Sequence, residues 1–237
     1  MITVSIHDDK CTTLGCPHKN ECYLVNRHSA EGYISSTLWT EILNKCSSEE
    51  AVAYASLCDT FGATSLLTIA QETPHFSVTL GYSTYISNKE HCDTILHKLQ
   101  ITVYTLSQIL ELEHAQKLFF IKDKETLAKA IVLIEEKIPN IHFPVKRNTF
   151  STIELLSLMH KVNNASDTVT LDSCLEHAIL HKDCIYAKNY VDIQGNGTYR
   201  RCPFDIDGLT IGNKTISDML SDTCSNKCQF TQEFAEE

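Results

Sequence analysis

No run of apolar residues approaches the ~18 that a transmembrane helix requires. The opening MITVSIHDDK lacks the basic segment and long apolar stretch of a signal peptide, so neither export nor a membrane is expected. Tight basic groups are scarce, limited to Lys146-Arg147 and Arg200-Arg201, and the formal net charge is −10. Neutralising phosphates needs clustered Lys and Arg, so nucleic acid is not an expected partner. Internal repeats, low-complexity stretches and a convincing histidine set for zinc are all missing. The rest is ordinary: 237 residues, 43% hydrophobic and 21% charged, fit a cytoplasmic globular protein with a sizeable core.

Cysteine is what the chain has in plenty. Its eleven cysteines are an odd number without an export signal, which argues against a disulfide framework. Cys11, Cys16 and Cys22 crowd the N-terminus, while Cys184, Cys202, Cys224 and Cys228 fall in the last 54 residues. Thiolates in threes and fours are what iron–sulfur clusters need, because each iron takes a soft anionic ligand. Three thiolates leave one iron open to a substrate or cofactor; four close the site. Cys46, Cys58 and Cys92 lie on predicted helices without partner spacing and read as packed or surface thiols.

Between the two groups, strand signals alternate with helical ones. Strands are expected near Ile2–Ile6, Ser65–Ala70, Ile101–Thr105, Lys117–Ile121, Ile141–Val145 and Thr168–Leu171. Helices are expected over Tyr33–Cys46, Glu49–Leu57, Asn88–Leu99, Ser107–Ala115 and Lys124–Lys137, with Asp123 capping the last. Ser151 and Glu154 have capping-box spacing for another. The segment Thr73–Ser87 breaks the pattern, and SVTL-GY-STYI within it reads as a small hairpin. This order implies an α/β fold with a parallel sheet, a partial (β/α)6 TIM-like barrel over residues 1–172. Residues 173–237 read as a Cys-rich β-hairpin and helix. Gly195-Asn196-Gly197 turn the hairpin, ISDML forms the helix, and metal staples the unit.

A strand followed by a three-cysteine loop on such a barrel resembles the radical S-adenosylmethionine (radical SAM) superfamily. Its usual spacing is C-x3-C-x2-C, whereas this chain has C-x4-C-x5-C. The family's GGE-P motif after the second strand has its counterpart in Ala70-Gln71-Glu72-Thr73-Pro74, without the glycines. At the C-terminus, Cys184, twelve residues, Gly197, four residues and Cys202, then Cys224-x3-Cys228, are similar to the SPASM and twitch auxiliary-cluster domains.

The resemblance implies two [4Fe-4S] clusters, one SAM-binding on Cys11, Cys16 and Cys22, one auxiliary on Cys184, Cys202, Cys224 and Cys228. It implies cofactor contacts from Gln71, Glu72, Thr105 and Ser107, although capping a helix is the alternative for the last two. Cys174, at the barrel–appendage junction, is a candidate for catalysis, with a packed thiol as its alternative. The implied activity is reductive cleavage of S-adenosylmethionine to a 5′-deoxyadenosyl radical that abstracts hydrogen from a substrate. The family's commonest task is modifying a ribosomal peptide or protein; a small-molecule substrate is the nearest alternative. Electrons would come from a donor such as a flavodoxin or ferredoxin. No leader-peptide-binding segment is recognisable before the first strand. Two further readings stay open, an iron–sulfur electron carrier or degenerate partner subunit, and a zinc-stabilised binding protein.

Overall fold

The computed structural model describes residues 3–7, 36–57, 63–146, 149–166, 168–172, 175, 189–194, 196–201 and 208–222. Seven parallel strands follow one another in the sheet in chain order. They are β1 (Thr3–His7), β2 (Val52–Leu57), β3 (Phe76–Gly81), β4 (Leu99–Val103), β5 (Gln116–Phe119), β6 (Ile141–Phe143) and β7 (Val169–Leu171). Parallel neighbours need long crossovers. Helices make them: α1 (Ser36–Ser48), α2 (Ala63–Glu72), α3 (Tyr82–Ser87), α4 (Lys89–Thr94), α5 (Leu106–Glu111), α6 (Lys124–Glu135) and α7 (Thr152–Asn163). Right-handed crossovers in unbroken order put these helices on one face and curl the sheet around the other. The result is the expected partial α/β barrel.

Beyond β1 the same sheet continues. β8 (Tyr190–Gln194) pairs parallel with β1, and β9 (Thr198–Arg200) and β10 (Leu209–Thr210) then run antiparallel in turn. Helix α8 (Ile216–Ser221) follows. Val191, Ile193, Tyr199, Ile216 and Met219 belong to one buried cluster with Val4 and Ile42, so the described C-terminal residues extend the barrel's sheet and core.

Three elements differ from expectation. The strand read at Ser65–Ala70 is helix α2, the helix read at Glu49–Leu57 is strand β2, and the hairpin after Thr73 is β3 followed by α3. Two alanines, good helix formers, disguised β2. Ala53 and Ala55 are buried there because a small side chain lets the neighbouring helices approach. In α2 the buried Leu66, Leu67 and Ala70 recur at helical spacing, which outweighs its β-branched Thr64, Thr68 and Ile69.

Local signals held elsewhere. Asp123 Oδ1 accepts from Thr126 N at 2.8 Å, and Ser151 N donates to Glu154 Oε2 at 2.9 Å as a capping box demands. Gly197 takes φ 80° in the β8–β9 turn, where Gly197 N donates to Gln194 O at 3.1 Å.

Candidate functional site

Strand register divides the sheet into two faces. Side chains alternate along each strand, and register partners share a face. One set is apolar: Val4, Ala53, Phe76, Val78, Ile101, Phe143 and Val191 are all buried. It faces the helices, as shown by the edge-on packing of Trp39 from α1 against Phe76 at 5.8 Å between ring centroids. Lys117 is the polar member of that face. Its ammonium donates to Leu112 O at 2.7 Å and Ala115 O at 3.1 Å, and burial lowers its pKa.

The other, concave face is polar almost throughout. Thr79, Gln100 and Gln116 are register partners across three adjacent strands of it. Thr79 Oγ1 reaches Gln100 Oε1 at 3.3 Å, and His142 Nδ1 lies 3.0 Å from Thr170 Oγ1 farther along. Asp192 is register partner to Arg200 and accepts from Gln194 Nε2 at 2.5 Å and Tyr190 Oη at 3.3 Å.

Polar side chains on this face are buried yet incompletely paired. Among the described residues, the buried side-chain atoms without a hydrogen-bond partner are Thr102 Oγ1, Gln194 Oε1, and Arg200 Nε and Nη1. All three residues lie on the concave face, since Thr102 shares Thr79's side and Arg200 shares Asp192's. Native proteins leave few such groups, because desolvating a donor without a partner costs free energy. Their collection on one side leaves hydrogen-bonding capacity there for buried water or a bound ligand to complete. Sequence reasoning missed these residues. The alternation in QITV and DIQ was a signal, but the register that aligns them was not visible.

The expected site residues are dispersed. Thr105 and Ser107 lie just beyond β4, at the C-terminal end of the strands, and both are exposed. Thr105 completes a capping box: its Oγ1 accepts from Gln108 N at 3.4 Å and lies 3.0 Å from Ser107 Oγ. Gln71 and Glu72 end helix α2 and precede β3, at the opposite end of the strands. They do not follow the second strand; that expectation came from reading α2 as a strand. Gln71 Oε1 instead lies 3.2 Å from His91 Nε2. Residues 58–62, which do follow β2, lie outside the described residues, as do Cys11, Cys16, Cys22, Cys174, Cys184, Cys202, Cys224 and Cys228. Among the described residues no three His, Cys, Asp or Glu side chains gather to hold a metal. Cys46 and Cys92 are buried, and desolvation raises their thiol pKa to about 12 and about 11, so both are packed thiols as expected.

The described residues nearest the C-terminal cysteines are tied together by one side chain. Arg201 donates through Nε to Tyr190 O at 3.4 Å and through Nη1 to the carbonyls of Leu220 and Asp222. Tyr190 begins β8, six residues after Cys184; Arg201 precedes Cys202; Asp222 lies two residues before Cys224. Lys214 reinforces the joint, donating to Tyr199 Oη at 2.8 Å and to Asp222 Oδ2 at 2.7 Å. On the barrel side, the Glu49 carboxylate caps α8, accepting from Ile216 N at 2.6 Å and from Ser217 N and Oγ at 2.8 and 2.6 Å. Burial alone would raise the Glu49 pKa, but these hydrogen bonds outweigh it and hold the carboxyl below its usual value.

No family model matches the chain, and no curated protein matches it in sequence. Among solved structures, the chain is similar to Streptococcus suis SuiB, whose crystal structure holds the precursor peptide SuiA. The TM-score is 0.62 at 14% identity, covering 93% of this chain and 64% of SuiB. The likeness is one of fold. The chain spans less than two-thirds of SuiB's length. Among the described residues, no helix is long and apolar enough to cross a membrane.

Proposed function

We propose that this chain is a radical SAM enzyme that modifies a ribosomal peptide or protein. The observation that carries the reading is the position of β1. This strand lies inside the sheet of a partial barrel, between β2 and β8, and the three-cysteine segment follows its C-terminal end. Active sites of α/β barrels are built at that end. The fold likeness to SuiB supports the superfamily assignment, and the peptide bound to SuiB supports a peptide substrate.

Cys11, Cys16 and Cys22 would hold a SAM-binding [4Fe-4S] cluster. The donor set fits: three thiolates hold such a cluster and leave one iron open. Cys184, Cys202, Cys224 and Cys228 would hold an auxiliary cluster in a SPASM or twitch-like unit over residues 173–237, and the joint made by Arg201 supports bringing these four together. When bound, the first cluster and S-adenosylmethionine supply the radical that abstracts substrate hydrogen. The protein's part is to enclose and orient. Thr102, Gln194 and Arg200 offer hydrogen bonds inward, Thr105 and Ser107 stand beside the strand ends, and Cys174 adjoins the buried Leu175. A flavodoxin or ferredoxin of the reducing cytoplasm would deliver electrons.

Release of 5′-deoxyadenosine by the anaerobically reconstituted protein, given dithionite and S-adenosylmethionine, tests the reading. The wild type releases it and a Cys11/Cys16/Cys22→Ala triple variant does not. Equal failure of both would favour the second reading, an electron carrier or partner subunit. The C-x4-C-x5-C spacing and the absence of the two glycines favour that alternative.

A further inference from the structure

We propose that Arg200 and Gln194 form a subsite for an amide group of the peptide substrate, on the concave face where β8 and β9 join. The inference deepens the reading above and rests on it. Arg200 is nine-tenths buried, yet two of its guanidinium nitrogens have no partner among the described residues. Gln194 is 1% exposed, and its Nε2 is engaged by Asp192 while its Oε1 is unpartnered.

Register brings the two together. Arg200 stands opposite Asp192, and Gln194 lies two residues farther along β8 on the same face, within diagonal reach of a long side chain. One side of this junction therefore offers planar N–H donors and the other an amide oxygen that can only accept. A carboxylate would satisfy the guanidinium and repel the acceptor. Asp192, opposite Arg200, already supplies a negative charge there, so no anion is needed for balance. A peptide amide satisfies both sides, its carbonyl accepting from Arg200 and its N–H donating to Gln194.

The neighbouring arginine shows that the pairing is selective. Arg201 is buried too, but it bonds three backbone carbonyls and holds the C-terminal joint. Arg200 Nε and Nη1 have no such partner among the described residues.

The test is the apparent thermal midpoint of the reconstituted full chain, measured anaerobically with N-acetylglycine N′-methylamide or sodium acetate as probe. At ten times its Kd the amide probe should raise the wild-type midpoint by about 3 °C, and acetate should not. Arg200→Lys keeps the charge opposite Asp192 and so preserves folding, but it removes the planar donors. It should lose the response, as should Gln194→Met. A response to acetate alone would overturn the amide assignment in favour of an anion site. An unchanged response in Arg200→Lys, or none in the wild type, would overturn the subsite, with buried water left to satisfy these atoms. Loss of 5′-deoxyadenosine release with the probe response intact would defeat the radical reading and leave the subsite standing.

Discussion

The helix-facing and concave faces of the sheet are made by the same strands and differ in how completely they are paired. On the helix side, apolar residues fill the interface and the buried Lys117 ammonium has two carbonyl partners. On the concave side, Thr102, Gln194 and Arg200 carry buried atoms without partners. One face is finished by the chain itself. The other leaves buried hydrogen-bonding atoms for water or a bound ligand to complete, and the cost of that arrangement is lower stability than a fully paired face would give.

The largest expected effect lies on the finished face. Phe76→Ala removes a fully buried ring from between β3 and α1 and should cost about 3–5 kcal/mol in denaturant unfolding. A loss below ~1 kcal/mol would break the comparison at its stronger end. Next comes Arg201→Met, which strands the carbonyls of Tyr190, Leu220 and Asp222 and should cost about 3 kcal/mol. Arg200→Lys should cost much less, because no hydrogen bond of Nε or Nη1 is lost.

Glu49→Gln should weaken the docking of α8 by about 1–2 kcal/mol. Its pH profile sharpens the point. The folded carboxyl is held below its usual value near 4.5, so its contribution is complete above that value and disappears as pH falls through the lower folded one. Unfolding midpoints measured from pH 6 to 3 should show the wild type losing its advantage over Glu49→Gln in that window. The smallest effect belongs to Thr102→Val. It deletes an unpartnered hydroxyl and should leave stability unchanged or raise it by up to ~1 kcal/mol. A substantial loss would show that the hydroxyl is already paired.

What sequence reasoning could read was local. Caps at Asp123 and Ser151, the turn at Gly197, and the apolar runs of β1 and β4–β7 each announce themselves within a few residues. The region around β2 and β3 did not, because its signals answer to partners far along the chain. Glu49 looks like the first turn of a helix, yet its carboxylate caps α8, 167 residues away. Ala53 and Ala55 look helical and instead fit beneath crossover helices. Reading α2 as a strand placed the expected cofactor residues at Gln71 and Glu72, at the opposite end of the strands from Thr105 and Ser107. The concave face was hidden for the same reason: Thr102, Gln194 and Arg200 become one surface only when the register of distant strands is known.

The most direct test of the account is the iron content of the anaerobically reconstituted protein, compared with variants lacking either cysteine set. Two four-iron clusters predict about eight irons per chain in the wild type, and about four in both Cys11/Cys16/Cys22→Ala and Cys184/Cys202/Cys224/Cys228→Ala. A colourless protein holding zinc, or a wild type with about four irons that the N-terminal variant keeps, would contradict it.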